Sequence, residues 1–552
     1  MTAAFTRDAA LARLRCEPLD VLVVGAGITG AGVALDAAAR GLKVGIVDRG
    51  DFASGTSSKS SKLVHGGLRY LQQKELRLVY ENLAERQRLL DNAPHLVRPL
   101  PFLLPVFGRD GAVKRSVAKA YRTALWLYDL TGAVRIGHRH QRLTKDEALA
   151  HLPTLNPDLL VAAFLYWDAR ADDARLTLAV LRTAVLHHGA IAANHSPVVA
   201  LRKEDGRVVG ATLADGTEVT ARCVVNAAGV WADEVRSLDE GHDPDELRPA
   251  KGIHITVPLA KLPCDIAAVL PVPKDRRSIF VIPWGEAAYL GTTDTDYEGP
   301  LDDPQCTAED VRYLLDTVNL FITGEKLTAA DVLGSWAGLR PLLKGAGNER
   351  TADLSRRHTA SVSASGVVSV TGGKLTTYRR MAADAVDRVV GEIGKGARRS
   401  PTKRMRLIGA TRQPVDLRAL SEEQRGHLHD RYGSEARTIA AMIAADAELA
   451  QPLVPGLPYL KAEALFAVRY EMAHTLDDVL SRRTRALLLA RDAAVAAAPD
   501  VARLIADELG WTAAEIDAQV GAFRDRAERE RGSADLPPTL LGESGTGSAA
   551  AR

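Results

Sequence analysis

The first residues that point to chemistry are Gly25, Gly27 and Gly30, spaced Gly-x-Gly-x-x-Gly at the end of a short apolar run. Gly25 permits a tight turn, Gly27 leaves no side chain in the way of a pyrophosphate, and Gly30 lets the following helix pack on the strand. The N-terminus of that helix then offers free N–H groups and a partial positive charge to the phosphates. Asp48 ends the next apolar run, at the right distance to accept hydrogen bonds from ribose hydroxyls. A glycine-rich structural turn would need no such acid. The fingerprint alone does not separate FAD from NAD, but two further stretches bear on the choice. In Val224-Val-Asn-Ala-Ala-Gly-Val-Trp231, the small residues Ala227, Ala228 and Gly229 would let the backbone approach a flat cofactor. The loop 54–62, Ser-Gly-Thr-Ser-Ser-Lys-Ser-Ser-Lys, has the composition of a flexible linker. Yet it follows the acidic strand end directly and leads into Leu63-Val-His65-Gly-Gly-Leu-Arg69-Tyr70, so its hydroxyl and N–H groups suit phosphates and a ribityl chain.

These residues need elements to hold them. Asp20 to Val24 reads as a buried strand, Ile28 to Arg40 as a helix closed by Gly41, and Lys43 to Val47 as a second strand, together a βαβ unit. Helices are expected over 76–92 and 175–188. A meander is expected over 198–202, 208–213 and 218–221, with turns at Asp205-Gly206 and Asp215-Gly216, and a separate buried strand over 223–227. Strands at 279–283 and 288–291 indicate a second sheet. Thr6 is placed to cap a short N-terminal helix. Beyond about residue 398 glycine thins out, and 434–450, 461–498 and 499–530 read as amphipathic helices. The stretch 532–552, rich in Gly, Ser and Ala, reads as a disordered tail.

Composition sets bounds on all of this. With 71 Lys+Arg against 69 Asp+Glu, the 552-residue chain has a net charge of +2, which excludes a nucleic-acid polycation. The length calls for several domains. Cys16, Cys223, Cys264 and Cys306 form no CxxC, so neither a disulfide scaffold nor a zinc site is expected; they read as small buried side chains. No metal site is expected. The most apolar stretch, 21–35, is shorter than the roughly 20 residues that span a bilayer.

The longer motifs carry a resemblance. They are Thr56-Ser-Ser-Lys-Ser-Ser-Lys-Leu-Val-His-Gly-Gly-Leu-Arg-Tyr70, Ala93-Pro-His-Leu96, Asp172-Asp-Ala-Arg-Leu176, Lys251-Gly-Ile-His-Ile255, Phe280-Val-Ile-Pro-Trp284, Gly291-Thr-Thr-Asp294, Gly338-Leu-Arg-Pro341 and Gly372-Gly-Lys-Leu-Thr-Thr-Tyr-Arg379. In this order, over about 20–385, the chain resembles the FAD-dependent, quinone-linked glycerol-3-phosphate dehydrogenases. It departs from them in an N-terminal extension and in Asp48, where Glu is common; both acids accept from ribose hydroxyls.

The resemblance implies an α/β fold: a Rossmann-like FAD-binding domain of the glutathione-reductase/D-amino-acid-oxidase type, an inserted α+β cap and a C-terminal helical domain. The FAD domain would be discontinuous (1–95, 165–250 and 330–395), the cap would comprise 96–164 and 251–329, and the helical domain 396–531. Non-covalent FAD would be held by Gly25, Gly27, Gly30, Asp48, Thr56, Ser57, Ser60, Ser61, Lys62, Leu63, His65, Ala228, Gly229, Lys374, Leu375 and Thr376. The activity implied is oxidation of sn-glycerol 3-phosphate to dihydroxyacetone phosphate, with electrons passed to a membrane quinone. A phosphate dianion needs fixed cations, and Arg69, Arg340 and Lys374 lie in the matching motifs, with Tyr70 as a further donor. Oxidation at C2 also needs a proton acceptor, a task for neutral His near pH 7. His254 is the favoured base, and His65 is left as base, flavin ligand or substrate orienter.

A quinone partner implies peripheral attachment to the cytoplasmic face of a bacterial membrane. Two basic stretches are candidates for contact with anionic lipid. One is a helix over 113–128 with Arg115, Lys119 and Arg122 on one face and Val117, Tyr121, Leu125 and Tyr128 on the other; the alternative is that this apolar face packs inward. The other is the linker from Lys395 to Arg406. A homo-oligomer is left open. The rival activities are a glycerol-3-phosphate oxidase using oxygen, another FAD-dependent hydroxy-acid or amino-acid oxidoreductase, and a non-enzymatic FAD-binding scaffold. Oxidase relatives usually carry an extra cap insertion, which is not evident here.

Overall fold

A computed structural model describes residues 5–67, 75–108, 125, 126, 128, 136–273, 277–344, 358–394, 396, 398–413, 415, 417 and 420–539. Arg69, Tyr70, the basic residues Arg115, Lys119 and Arg122, and residues 540–552 lie outside them.

Strand Leu19–Val24 is buried at every position and pairs in parallel with Val44–Val47 on one side and Glu218–Asn226 on the other. A strand covered on both faces reads as a continuous apolar run, as this one does. Around it the eight-stranded sheet runs in the order 359–362, 368–371, 218–226, 19–24, 44–47, 191–193. Helix Ile28–Ala39 packs between helices Asp173–His188 and Tyr378–Ile393. Gly32 is required there, because a Cβ would lie 2.8 Å from the Tyr378 ring. The two strands expected at 218–221 and 223–227 form a single strand, Glu218–Asn226. No turn residue interrupts it, so its first half closes the meander and its second half enters the parallel sheet.

The second sheet has ten strands. It includes Leu160–Ala171, Leu247–Pro258 and Gly334–Leu343 over their full lengths, and so takes in stretches expected within the nucleotide-binding part. Strands of ten or more residues reach from one part of the molecule into the other.

The C-terminal region is helical, but not in the expected segments. The helix expected over 461–498 stops at Glu471, where Met472 adopts a left-handed conformation, and 478–483 form a separate π-helical turn. Helix Arg491–Leu509 runs through Pro499 instead of beginning there. Helix Ala513–Ser533 extends past 530, and Ala534 and Leu536 pack into the core of the ten-stranded sheet, so 532–539 are no loose tail. Leu125 and Tyr128 are buried too, so these two members of the apolar face pack inward. Cys223, Cys264 and Cys306 are buried, whereas Cys16 is exposed. Among the described residues, no helix is long and apolar enough to cross a membrane.

Candidate active site

The glycine turn has the geometry that its spacing predicts. Gly25 has φ +100°, and a Cβ on Gly30 would lie 1.8 Å from the Gly25 carbonyl oxygen. Helix Ile28–Ala39 has Gly27 at its N-cap, with no side chain of its own there and no acid in its first turn, so its positive end favours an anion. Asp48 accepts from Ala26 N at 2.6 Å and Gly50 N at 2.9 Å, and its side chain is only half-buried. Burial, partly offset by those two bonds, pushes its carboxyl up to about 6. Ser57 Oγ accepts from Ile28 N at 2.8 Å, which lays the Ser/Thr loop against the helix start. Gly229 has φ +63° with open space where a Cβ would stand, and it follows Ala228 just beyond the central strand. These residues fit the pyrophosphate and ribose of FAD.

The segment 56–66 then meets four of the distant motifs. Thr56 Oγ1 donates to Leu339 O at 2.6 Å. Ser60 donates from N and Oγ to Asp173 at 3.0 and 2.7 Å. Ser61 Oγ lies 2.8 Å from His254 Nε2. Lys62 donates to Ser58 O and Asp173, both at 3.0 Å, with its ammonium 4.9 Å from the Trp336 ring. Burial and the nearby Arg485 bring Lys62 down to about 8 despite Asp173. Leu63 is buried in strand Leu63–Val64. His65 N donates to Thr376 Oγ1 at 3.1 Å, which joins the Lys374-Leu375-Thr376 turn to the loop.

His254 and Arg340 lie on neighbouring antiparallel strands, with His254 opposite Trp336 and Gly252 opposite Gly338. The His254 ring stacks on Trp336 at 4.8 Å and is 2 % exposed. Burial, then Lys62 and Arg340, hold it well below the usual histidine range, so it is neutral. Its Nδ1 has no hydrogen-bond partner among the described residues. Gly291 is needed beside it, since a Cβ would lie 2.1 Å from the ring. The Arg340 guanidinium lies over Gly252 and donates to Asp294 Oδ1 and Thr292 Oγ1, both at 3.1 Å.

Several residues of this region carry no sequence signal of their own. Gly66 N donates to Tyr128 OH at 3.0 Å and Asp168 Oδ1 at 3.1 Å, and Arg86 neutralises Asp168 at 2.5 Å. Asp173 also pairs with Arg485, and Asp172 with Arg485 and Arg431, so C-terminal arginines fix the site loop. The 172–176 motif was quotable, but nothing local showed that its acids face inward. Asp51, His195 and Asp478 also converge, but Arg482 and Arg483 occupy both Asp51 oxygens, making this an ion-pair node.

The comparisons agree with this geometry. The family model "FAD dependent oxidoreductase" matches residues 20–379, and "C-terminal domain of alpha-glycerophosphate oxidase" matches 400–516. Glycerol-3-phosphate dehydrogenase 2 of Mycobacterium tuberculosis is 42% identical over 540 residues, covering 95% of this chain and 90% of that protein. The human mitochondrial glycerol-3-phosphate dehydrogenase is 37% identical, covering 92% of this chain and 73% of its own. The X-ray structure of glycerol-3-phosphate dehydrogenase from Bacillus halodurans complexed with FAD aligns at TM-score 0.76 and 32% identity, over 96% of this chain and 98% of that one. A nucleotide turn that fits FAD, the ten-stranded sheet beside it and the matching helical domain thus place this chain in the FAD-dependent glycerol-3-phosphate dehydrogenase family.

Proposed function

We propose that the chain oxidises sn-glycerol 3-phosphate to dihydroxyacetone phosphate and delivers the electrons to a membrane quinone. The observation that carries this reading is the convergence of a neutral His254 and Arg340 on adjacent strands, against the same loop that reaches the glycine turn. Bound FAD, held non-covalently, supplies the hydride acceptor for C2. In this reading Arg340 and Lys374, with Arg69 and Tyr70, grip the phosphate dianion. Nε2 of His254 and Oγ of Ser61 share a hydrogen bond; with the tautomer that donates from Nε2, the Nδ1 lone pair takes the C2 hydroxyl proton. Stacking on Trp336 keeps the ring from turning. His65, tied to Thr376 through its backbone, orients the Lys374 turn. The division into a discontinuous FAD domain, a cap and a helical domain is part of the same proposal.

The test is anaerobic. Glycerol 3-phosphate should bleach the flavin, and a soluble quinone analogue should reoxidise it much faster than oxygen. Faster reoxidation by oxygen would favour the oxidase reading, and no bleaching would sink both.

We place the protein at the inner face of the plasma membrane, attached peripherally. The exposed cations Arg398, Arg399, Lys403, Arg404 and Arg406 support contact with anionic headgroups, each worth roughly 1 kcal/mol near the surface. Flotation with anionic liposomes at low salt, lost at high salt, is the expected outcome.

A further inference from the structure

A cleft of about 990 Å³ opens between the ten-stranded sheet and the C-terminal helices. Its walls are largely apolar, with Trp284, Tyr289 and Leu333 on one side and Leu457, Tyr459 and Leu489 on the other. Its lining holds five cations and four carboxylates. Arg98 and Arg170 stand directly opposite each other on the antiparallel strands Val97–Phe107 and Leu160–Ala171. Like charges in that register repel. Most of the surrounding cations are neutralised: Arg98 by Asp430, Arg175 by Glu471, and Arg431 by Asp172. Arg170 is different. Among the described residues its side chain's one hydrogen bond goes to a neutral acceptor, Pro283 O at 3.1 Å, and the nearby Asp430, which also attracts it, is already paired with Arg98. Burial draws its pKa below the usual arginine range.

His95 lines the same cleft. It is 2 % exposed, and its Nδ1 has no hydrogen-bond partner among the described residues. Burial and Arg175 push it down to about 3, so it stands neutral beside the arginines. A guanidinium with no directly bonded carboxylate and a buried imidazole with an orphaned nitrogen are both costly unless something completes them.

We propose that this cleft binds an anion, a phosphate or carboxylate carried on an apolar body, with its head on Arg170 and His95 and its body along Trp284, Leu333 and Leu489. Arginine holds such a head group through paired N–H bonds, and the imidazole adds a neutral donor. Lys62, a residue of the candidate active site, also lines this cleft. Its ammonium lies 5.6 Å from the Trp284 ring in the cleft and 4.9 Å from Trp336, on which His254 stacks.

The experiment uses the full-length, FAD-loaded chain and four probes: octyl phosphate, octanoate, inorganic phosphate and octanol. Titration calorimetry and tryptophan emission follow binding, which needs no turnover and so stands or falls apart from the activity proposed above. At least one of the two amphiphilic anions is expected to bind saturably, and the tighter of them identifies the head group. Inorganic phosphate and octanol should each bind about tenfold more weakly or worse. Arg170→Gln should weaken the anion by about tenfold or more with flavin absorbance retained. If Arg170→Gln does not fold, Leu457→Trp, which fills the apolar half from the C-terminal side, should block binding instead. Absence of saturable binding by either amphiphile, or binding that survives both substitutions, would overturn the proposal. Octanol binding as tightly as the anions would overturn its anionic part, and inorganic phosphate doing so would overturn its apolar part.

Discussion

The glycine turn at Gly25–Gly30 and the arginine cluster at Arg482–Arg485 hold one segment by opposite means. The glycines act by lacking side chains: Gly30 clears the Gly25 carbonyl, Gly25 clears the Ala227 carbonyl, and Gly27 leaves room for Ser57 Oγ. The arginines act by charge on residues far away in the chain: Arg483 and its partner Asp51 are 432 residues apart. Between them lies the stretch 48–66, held by the first through Asp48 and Ser57 and by the second through Asp51, Asp172 and Asp173. Burial alone would raise Asp172, but Arg485 and Arg431 hold it well below the usual carboxylate range. The difference teaches that a cofactor turn announces itself in sequence, while the clamp that keeps it in register does not.

The largest effect should come from breaking the clamp. Arg483→Leu strands Asp51 without one of its two guanidinium partners, in a site that water does not reach. Losing one partner of a buried pair typically costs about 3–5 kcal/mol, and the urea midpoint should fall accordingly. Adding Asp51→Asn should recover part of that loss, because no unpaired carboxylate then remains, and Arg482 keeps Asp477 and Asp478. If the double variant is no better than the single one, charge is not what Arg483 contributes.

A smaller and more local effect is expected at the substrate cations. Arg340→Ala or Lys374→Ala should lower kcat/KM for glycerol 3-phosphate by about 2–4 kcal/mol, with FAD retained and the urea midpoint little changed. Unchanged KM and kcat would remove that residue from the phosphate site.

This split marks what the sequence made legible. The βαβ unit, the helix over 76–92 and, to within one residue, the strand ends expected at Asp48 and Ala227 were readable because their periodicity and punctuation are local. The residues His254, Arg340 and Lys374 were nameable through the resemblance, but their relation to Ser61, Trp336 and Thr292 depends on strand register, which no local spacing encodes. The C-terminal region was misread for a physical reason. Arg482, Arg483 and Arg485 look like a solvated helix face, yet they turn inward to acids from the nucleotide-binding part. That inward turn coincides with the break of the expected helix at Met472 and the π-helical turn at 478–483. Arg69 and Tyr70 lie outside the described residues.

Asp48 allows the glycine end to be tested by pH. In the FAD-free protein its carboxyl sits at about 6, above its ordinary 3.8. Its contribution to folding stability is therefore complete below the lower value and lost as pH rises through the higher one. FAD reverses that preference, since ribose hydroxyls donate to the ionised form. FAD should therefore loosen as pH falls through about 6, by about 1–2 kcal/mol, as read by the rise of free-flavin fluorescence. Asp48→Asn should bind FAD more weakly and lose this pH step.

The smallest expected effect probes how far even a local signal can be trusted. Thr6 and Thr307 both occupy N-cap positions with extended backbone. Thr307 closes a capping box with Asp310, which also pairs with Lys251 at 2.6 Å. Thr6 makes no capping bond, and its helix Arg7–Cys16 is held instead by Leu11 and Leu14 in the core and by Arg7 on the carbonyls of Asn194 and His195. Thr307→Ala should therefore cost about 1 kcal/mol, the usual value for a working cap, and Thr6→Ala no more than a few tenths. Equal losses in urea melts of the two variants would mean that the cap residue's type, rather than the bond it makes, sets the stability of these helix starts.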